Sequence, residues 1–128
     1  MQDLLQDMVK QANGDSRVLA VVLFGSTARG ERRDTSDVDV CLVLKPGTYS
    51  PEALMDIRLQ YLAAFAADIQ IFQQLPIYLR QRVLKDGKVL FCRDQDALYD
   101  IALRTVQAFA DFKPLYDRYL DEVARDRP

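Results

Sequence analysis

The chain has 128 residues, no histidine, no tryptophan and two cysteines, and its 17 Lys+Arg stand against 19 Asp+Glu for a formal net charge of -2. The absence of imidazole excludes a Ser-His-Asp triad, a Cys-His pair, a histidine general base and every His-containing zinc site. Any catalysis by this chain has to use carboxylates, lysine, tyrosine or a metal. The length suits one domain, and 49% hydrophobic residues suffice for a core without help from disulfides or a structural metal.

Leu4, Leu5, Met8, Val9 and Ala12 recur at helical spacing, and Asn13-Gly14 closes this first helix. Val18 to Phe24 is a continuous apolar, β-branched run, as expected of a strand covered on both faces, and Gly25-Ser26 interrupts it. Ser36 to Leu44 reads as a second strand, ended by Lys45-Pro46-Gly47. Ser50-Pro51-Glu52 has the hydroxyl, proline and acid of a helix start, and that helix should reach about Ala66.

Asp68 to Phe72 alternates polar and apolar as a half-covered strand does, with Ile69 and Ile71 toward the core and Asp68, Gln70 and Phe72 on the opposite face. Pro76 opens a short helix that Gly87 closes, and Lys88 to Cys92 is a short strand at most. Past Asp94 a helical pattern fills nearly all the rest, and Pro114 should kink or break it by removing a backbone donor. This alternation predicts an α/β or α+β single domain with a small sheet.

Cys41 and Cys92 lie in apolar runs without a CxxC partner, as expected of free thiols in a reducing cytoplasm. The opening MQDLLQDMVKQ carries charge within its first apolar stretch, unlike a secretory or transit peptide. No apolar segment approaches the ~20 residues needed to span a bilayer. The expectation is a cytoplasmic protein without membrane contact. Its acidic balance also speaks against direct nucleic-acid binding, which normally uses a basic face.

The segment that carries chemistry is Gly25-Ser26-Thr27-Ala28-Arg29-Gly30, followed by Ser36-Asp37-Val38-Asp39. Glycine at a strand end lets the backbone turn sharply and a phosphate approach closely, and Ser26 adds a hydroxyl donor. Asp37 and Asp39 are two apart on an expected strand, so both carboxylates leave one face and offer hard oxygens suited to Mg²⁺. A phosphate cradle beside such an edge suits nucleotidyl or phosphoryl transfer assisted by two metal ions. A third carboxylate usually completes the site, and Asp68, at the start of its strand, is the candidate.

Gly-Ser, ten residues, then Asp-x-Asp resembles the signature of the DNA polymerase beta-like nucleotidyltransferase superfamily. The longer string GSTARGERRDTSDVDV resembles its minimal nucleotidyltransferase (MNT) group, and ADIQIF, a helix opened by Leu-Pro and Gly87 to Phe91 extend the resemblance over about residues 15–93. The resemblance implies a nucleotidyltransferase fold, a small mixed sheet flanked by helices, with a core over residues 1–93 and a helical segment over 94–128. It implies an enzyme using Mg²⁺, two ions, and ATP to place AMP on a hydroxyl. Asp37, Asp39 and Asp68 would be its catalytic and metal-binding residues, with Asp68 a ligand or the proton acceptor. Gly25 and Ser26 would hold the triphosphate, and Arg29 would give phosphate or structural support.

Stand-alone MNT proteins are commonly antitoxins encoded beside a HEPN-domain ribonuclease toxin, which some silence by adding AMP to a tyrosine. The resemblance therefore implies a HEPN toxin as partner. Leu98, Ile101, Thr105, Phe109, Phe112, Tyr116, Tyr119 and Val123 form one helical stripe, and its aromatics either pack on the core or contact that partner. Two rivals stay open: an antitoxin that masks its toxin by contact alone, and a small-molecule adenylyltransferase of the aminoglycoside type, for which this chain has little room. A template-directed polymerase fits least, since no basic module is available to grip nucleic acid.

Overall fold

The computed structural model describes residues 2–25 and 38–125. Helix α1 (Gln2–Asn13) leads into strand β1 (Val18–Leu23), and β2 (Asp39–Leu44) is followed by α2 (Pro51–Ala64). Strand β3 (Asp68–Ile71) runs into a single 3₁₀ turn (Phe72–Gln74), and α3 (Ile77–Asp86), β4 (Lys88–Cys92) and the long α4 (Gln95–Arg125) complete the chain. The four strands form one mixed sheet in the order β3-β2-β1-β4. Pairing is antiparallel between β1 and both β2 and β4, and parallel between β2 and β3.

Every residue of β1 is buried, which explains its unbroken apolar run: helices cover both faces of the sheet. On one face, Met8 and Ala12 of α1 and Ile57 and Tyr61 of α2 pack with Val21, Val40, Leu42, Leu44, Ile69 and Ile71. On the other, Val83 of α3 and Ala97, Leu98 and Ile101 of α4 pack with Leu19, Ala20, Val22, Cys41, Val43 and Phe72. The alternation in β3 is as expected, Ile69 and Ile71 entering the first cluster and Phe72 the second.

Helix ends follow local chemistry. Ser50 accepts from the Ala53 N–H as the N-cap of α2, with proline in the first turn. That helix stops at Ala64, two residues short of expectation, because Phe65 adopts an extended conformation. At the end of α1, Gly14 has no positive φ, and Gly25 is the one glycine with that geometry among the described residues. The carbonyls of Ala12 and Asn13 are instead taken up by the Arg93 guanidinium, at 2.9 and 3.0 Å, which also reaches Val18 O at 3.0 Å. A side chain about 80 residues away thus caps the helix.

Asp15, in the turn after α1, accepts from Arg17 Nε and Nη2, both at 2.8 Å, and from the buried Tyr61 hydroxyl at 3.0 Å. The Arg17 hydrogen bond holds its carboxyl below the usual range, against the opposing pull of partial burial.

Pro114 does not break the last helix: α4 runs through it from Gln95 to Arg125. Proline cancels one backbone hydrogen bond of a helix, and the remaining turns hold, as does packing along the stripe. Thr105 on that stripe is buried, whereas Tyr119 is 61% exposed. Tyr116 stacks on Tyr78 of α3, centroids 5.4 Å apart, and on Phe112 at 5.5 Å. Two of the expected contact aromatics therefore already pack within the chain. A second apolar stripe of α4, Tyr99, Leu103 and Val106, is exposed. No helix among the described residues is long and apolar enough to cross a membrane.

Candidate active site

Because β1 runs opposite to β2 while β3 runs alongside it, the end of β1 and the starts of β2 and β3 meet at one edge of the sheet. Two backbone bonds tie this edge: Phe24 N donates to Asp39 O at 3.0 Å, and Asp68 N donates to Val38 O at 2.9 Å. Asp39 and Asp68 are register partners. Their alternating neighbours Val40 and Ile69 enter the first core, so both aspartates take the face that α3 and α4 cover. Gly25, one residue beyond Phe24, has φ of 67°, and a Cβ there would lie 2.6 Å from Asp39 Oδ2. Only glycine tolerates both that conformation and a carboxylate directly over its backbone.

A cavity of about 500 Å³ opens beside this edge. Gly25, Asp68 and Gln70 form its polar sheet side, and Phe24, Leu75, Leu79 and Val83 give it an apolar wall, with Arg82 and Asp86 of α3 at the rim. Gln70 Nε2 donates to Asp68 Oδ1 at 3.0 Å. Gly87 lets α3 end close against β1, since a Cβ there would collide with the Val83 carbonyl and the Val22 side chain. Such a pocket has the size and the mixed lining of a small-ligand site.

Of the expected site residues, Gly25, Asp39 and Asp68 come together at the sheet edge, with Gly25 and Asp68 lining the cavity. Ser26, Arg29 and Asp37 lie outside the described residues. The carboxylates of Asp39 and Asp68 are hard oxygen donors of the type that Mg²⁺ prefers, and the sheet register makes them neighbours. Among the described residues no group of three His, Cys, Asp or Glu side chains could hold a metal ion, so these two form at most part of a ligand set. Cys41 is no rival nucleophile, because burial pushes its thiol up to about 12.

The α3 side of the cavity was not foreseen from the sequence. Leu79, Arg82, Val83 and Asp86 recur at steps of three and four, the pattern of one helical face, but nothing local shows that this face turns toward Asp68. Gln70 was legible as a same-face neighbour of Asp68, two residues on, without any sign of its hydrogen bond.

The fold and this edge define a nucleotidyltransferase domain. The chain belongs to the family Polymerase beta, Nucleotidyltransferase, which matches it over residues 6–96. It is 38% identical over 77 residues to a Methanocaldococcus jannaschii protein named "Putative protein adenylyltransferase", a match covering 59% of this chain and 57% of that relative. The chain thus spans little more than half of that relative's length. Among solved structures it is similar to a chain of a toxin-antitoxin crystallised with AMP-PNP, at TM-score 0.72 and 20% identity over 93% of this chain and 98% of that one. A chain from the complex of tri-AMPylated Shewanella oneidensis HEPN toxin with MNT antitoxin is similar at TM-score 0.70 and 19% identity, over 97% and 99%. At these identities the likeness is one of fold.

Proposed function

We propose that this chain is a Mg²⁺-dependent nucleotidyltransferase that moves AMP from ATP onto a hydroxyl, acting as an antitoxin that modifies a tyrosine of a cognate HEPN ribonuclease. The observation that carries this reading is the convergence of Gly25, Asp39 and Asp68 at one sheet edge beside a 500 Å³ cavity. The relative named as an adenylyltransferase and the folds shared with AMP-PNP-bound and AMPylated toxin-antitoxin complexes support the nucleotide and the partner class.

In this reading Asp39 and Asp68, with Asp37 from the Asp-x-Asp motif, hold the metal. Bound there, Mg²⁺ neutralises phosphate charge and polarises the reacting oxygens. Gly25 leaves room for the triphosphate, Ser26 donates to it, and Arg29 supports it. The acceptor oxygen attacks the α-phosphorus, a new O–P bond forms, the bond to the bridging oxygen breaks and pyrophosphate departs. Asp68, as ligand or base, either orients the acceptor or takes its proton.

Co-expression with the product of an adjacent HEPN reading frame tests this. The expected result is an AMP adduct on a tyrosine of the partner that disappears with Asp39→Asn. An unmodified partner, in the presence of ATP and Mg²⁺, would sink it. The exposed Tyr99, Leu103 and Val106 favour a second reading, in which the chain masks its partner by contact alone. Toxin neutralisation that survives Asp39→Asn would select that reading.

A further inference from the structure

Strand β3 presents two polar side chains on one face, Asp68 and Gln70, and both line the cavity. The Gln70 amide nitrogen lies 3.0 Å from Asp68 Oδ1. This orientation of the amide follows from the contact, since the reverse would set its carbonyl oxygen against a carboxylate oxygen. Both residues are half-buried, so the bond is not simply exchanged for bulk water. A carboxylate on a strand otherwise rotates about its side-chain torsions. With Oδ1 held by an amide, the second oxygen is left as the stronger acceptor for a cation or a proton.

We propose that Gln70 is a positioning residue for Asp68: its amide fixes the carboxylate's orientation and, being uncharged, does so without adding to the negative charge that Asp39 and Asp68 already bring to this edge. The inference rests on the reading of Asp68 as an active-site carboxylate. A carboxylate at position 70 would repel Asp68 instead of donating to it, and an apolar side chain would release it. Partners of this kind behind a ligating group commonly change metal affinity by about 10- to 100-fold when removed.

The test uses the full chain with Gln70→Leu, Gln70→Glu and Asp68→Asn variants, each checked by thermal melt. Mn²⁺ binding is measured without nucleotide, and AMP transfer to the partner is measured against ATP concentration. Gln70→Leu is expected to weaken Mn²⁺ binding about tenfold, and to lower kcat by about the same factor at an unchanged KM for ATP. Gln70→Glu, which keeps the side-chain length but cannot donate to the carboxylate, is expected to lower kcat at least as far as Gln70→Leu does. Mn²⁺ binding that depends on Asp68, combined with unchanged Mn²⁺ binding and unchanged kcat in Gln70→Leu, overturns the role of Gln70 alone. Mn²⁺ binding indifferent to Asp68→Asn overturns the reading of the site and the positioning role with it.

Discussion

Asp39 and Asp68 stand opposite each other in the register of two parallel strands, on the same face of the sheet. Like charges placed so repel each other, and a bound cation turns that repulsion into shared attraction. Asp68→Asn removes one charge yet keeps an oxygen that can accept from Gln70. Its melting temperature without metal should therefore hold or rise slightly. On the proposed function, Mg²⁺ is expected to stabilise the parent, and the variant should lose that stabilisation along with most AMP transfer. Melts with and without Mg²⁺, beside a labelled-ATP assay, check this. A variant that Mg²⁺ stabilises as much as the parent would remove Asp68 from the metal site.

Gly25 is bound to the same edge by sterics. A methyl group there would fall 2.6 Å from Asp39 Oδ2, on a backbone with φ of 67°. Gly25→Ala should cost on the order of 1–3 kcal/mol of stability, from strain and displacement together. It should also lower transfer more than 100-fold, because the carboxylate must move off the position that the site requires. Denaturant unfolding and kinetics on one preparation separate the two effects. Near-parental activity would show that the position of Asp39 is not critical.

The frame of this fold was legible because its signals are local: an apolar run for β1, Ser50-Pro51 for α2, alternation for β3. The Asp-x-Asp motif and the acid opening β3 likewise pointed to Asp39 and Asp68 before their register was known. What stayed hidden depends on contacts distant in sequence. Arg93 caps α1 from the far end of the domain, and α3 closes the cavity through Leu79 and Val83. Pro114 does not break its helix, because the loss of one backbone bond is set against a helix of 31 residues whose other turns compensate. The stripe on α4 was read correctly as a face. Its division into packed and exposed aromatics needed the position of Tyr78 on α3.

Asp15 provides a pH signature away from the site. Its carboxyl is held below the ordinary value of 3.8, first by the Arg17 hydrogen bond. A depressed carboxylate contributes stability that is fully present above its unfolded pKa and disappears as pH falls through the folded one. Asp15→Asn should lose about 1.5–3 kcal/mol at pH 7, the range for hydrogen bonds to a charged group. The gap to the parent should stay constant down to about pH 5 and close below about pH 4. Urea titrations across that range test it, and a deficit that persists unchanged at acid pH would place the effect in packing instead.

The aromatics of α4 divide into two groups with opposite expectations. Tyr116 lies between Tyr78 and Phe112, in stacks of 5.4 and 5.5 Å, so Tyr116→Ala should lower stability. The stacking share alone is about 0.5–1.5 kcal/mol, with lost apolar burial added to it. Tyr119 is 61% exposed and Tyr99 67%, and their replacement by alanine should leave the melt within about 0.5 kcal/mol of the parent. If the exposed stripe of this helix meets the partner, its own residues supply the anchors, and Tyr99→Ala with Val106→Ala should weaken binding by over 2 kcal/mol, roughly thirtyfold. The measurement is a melt of each variant followed by titration with the HEPN partner. Unchanged affinity in the Tyr99 and Val106 pair would move the interface off this stripe. Combining that pair with Asp39→Asn then distinguishes the modes of neutralisation, because a masking antitoxin depends on the surface alone, whereas a modifying enzyme leaves its partner inactive after the two are separated.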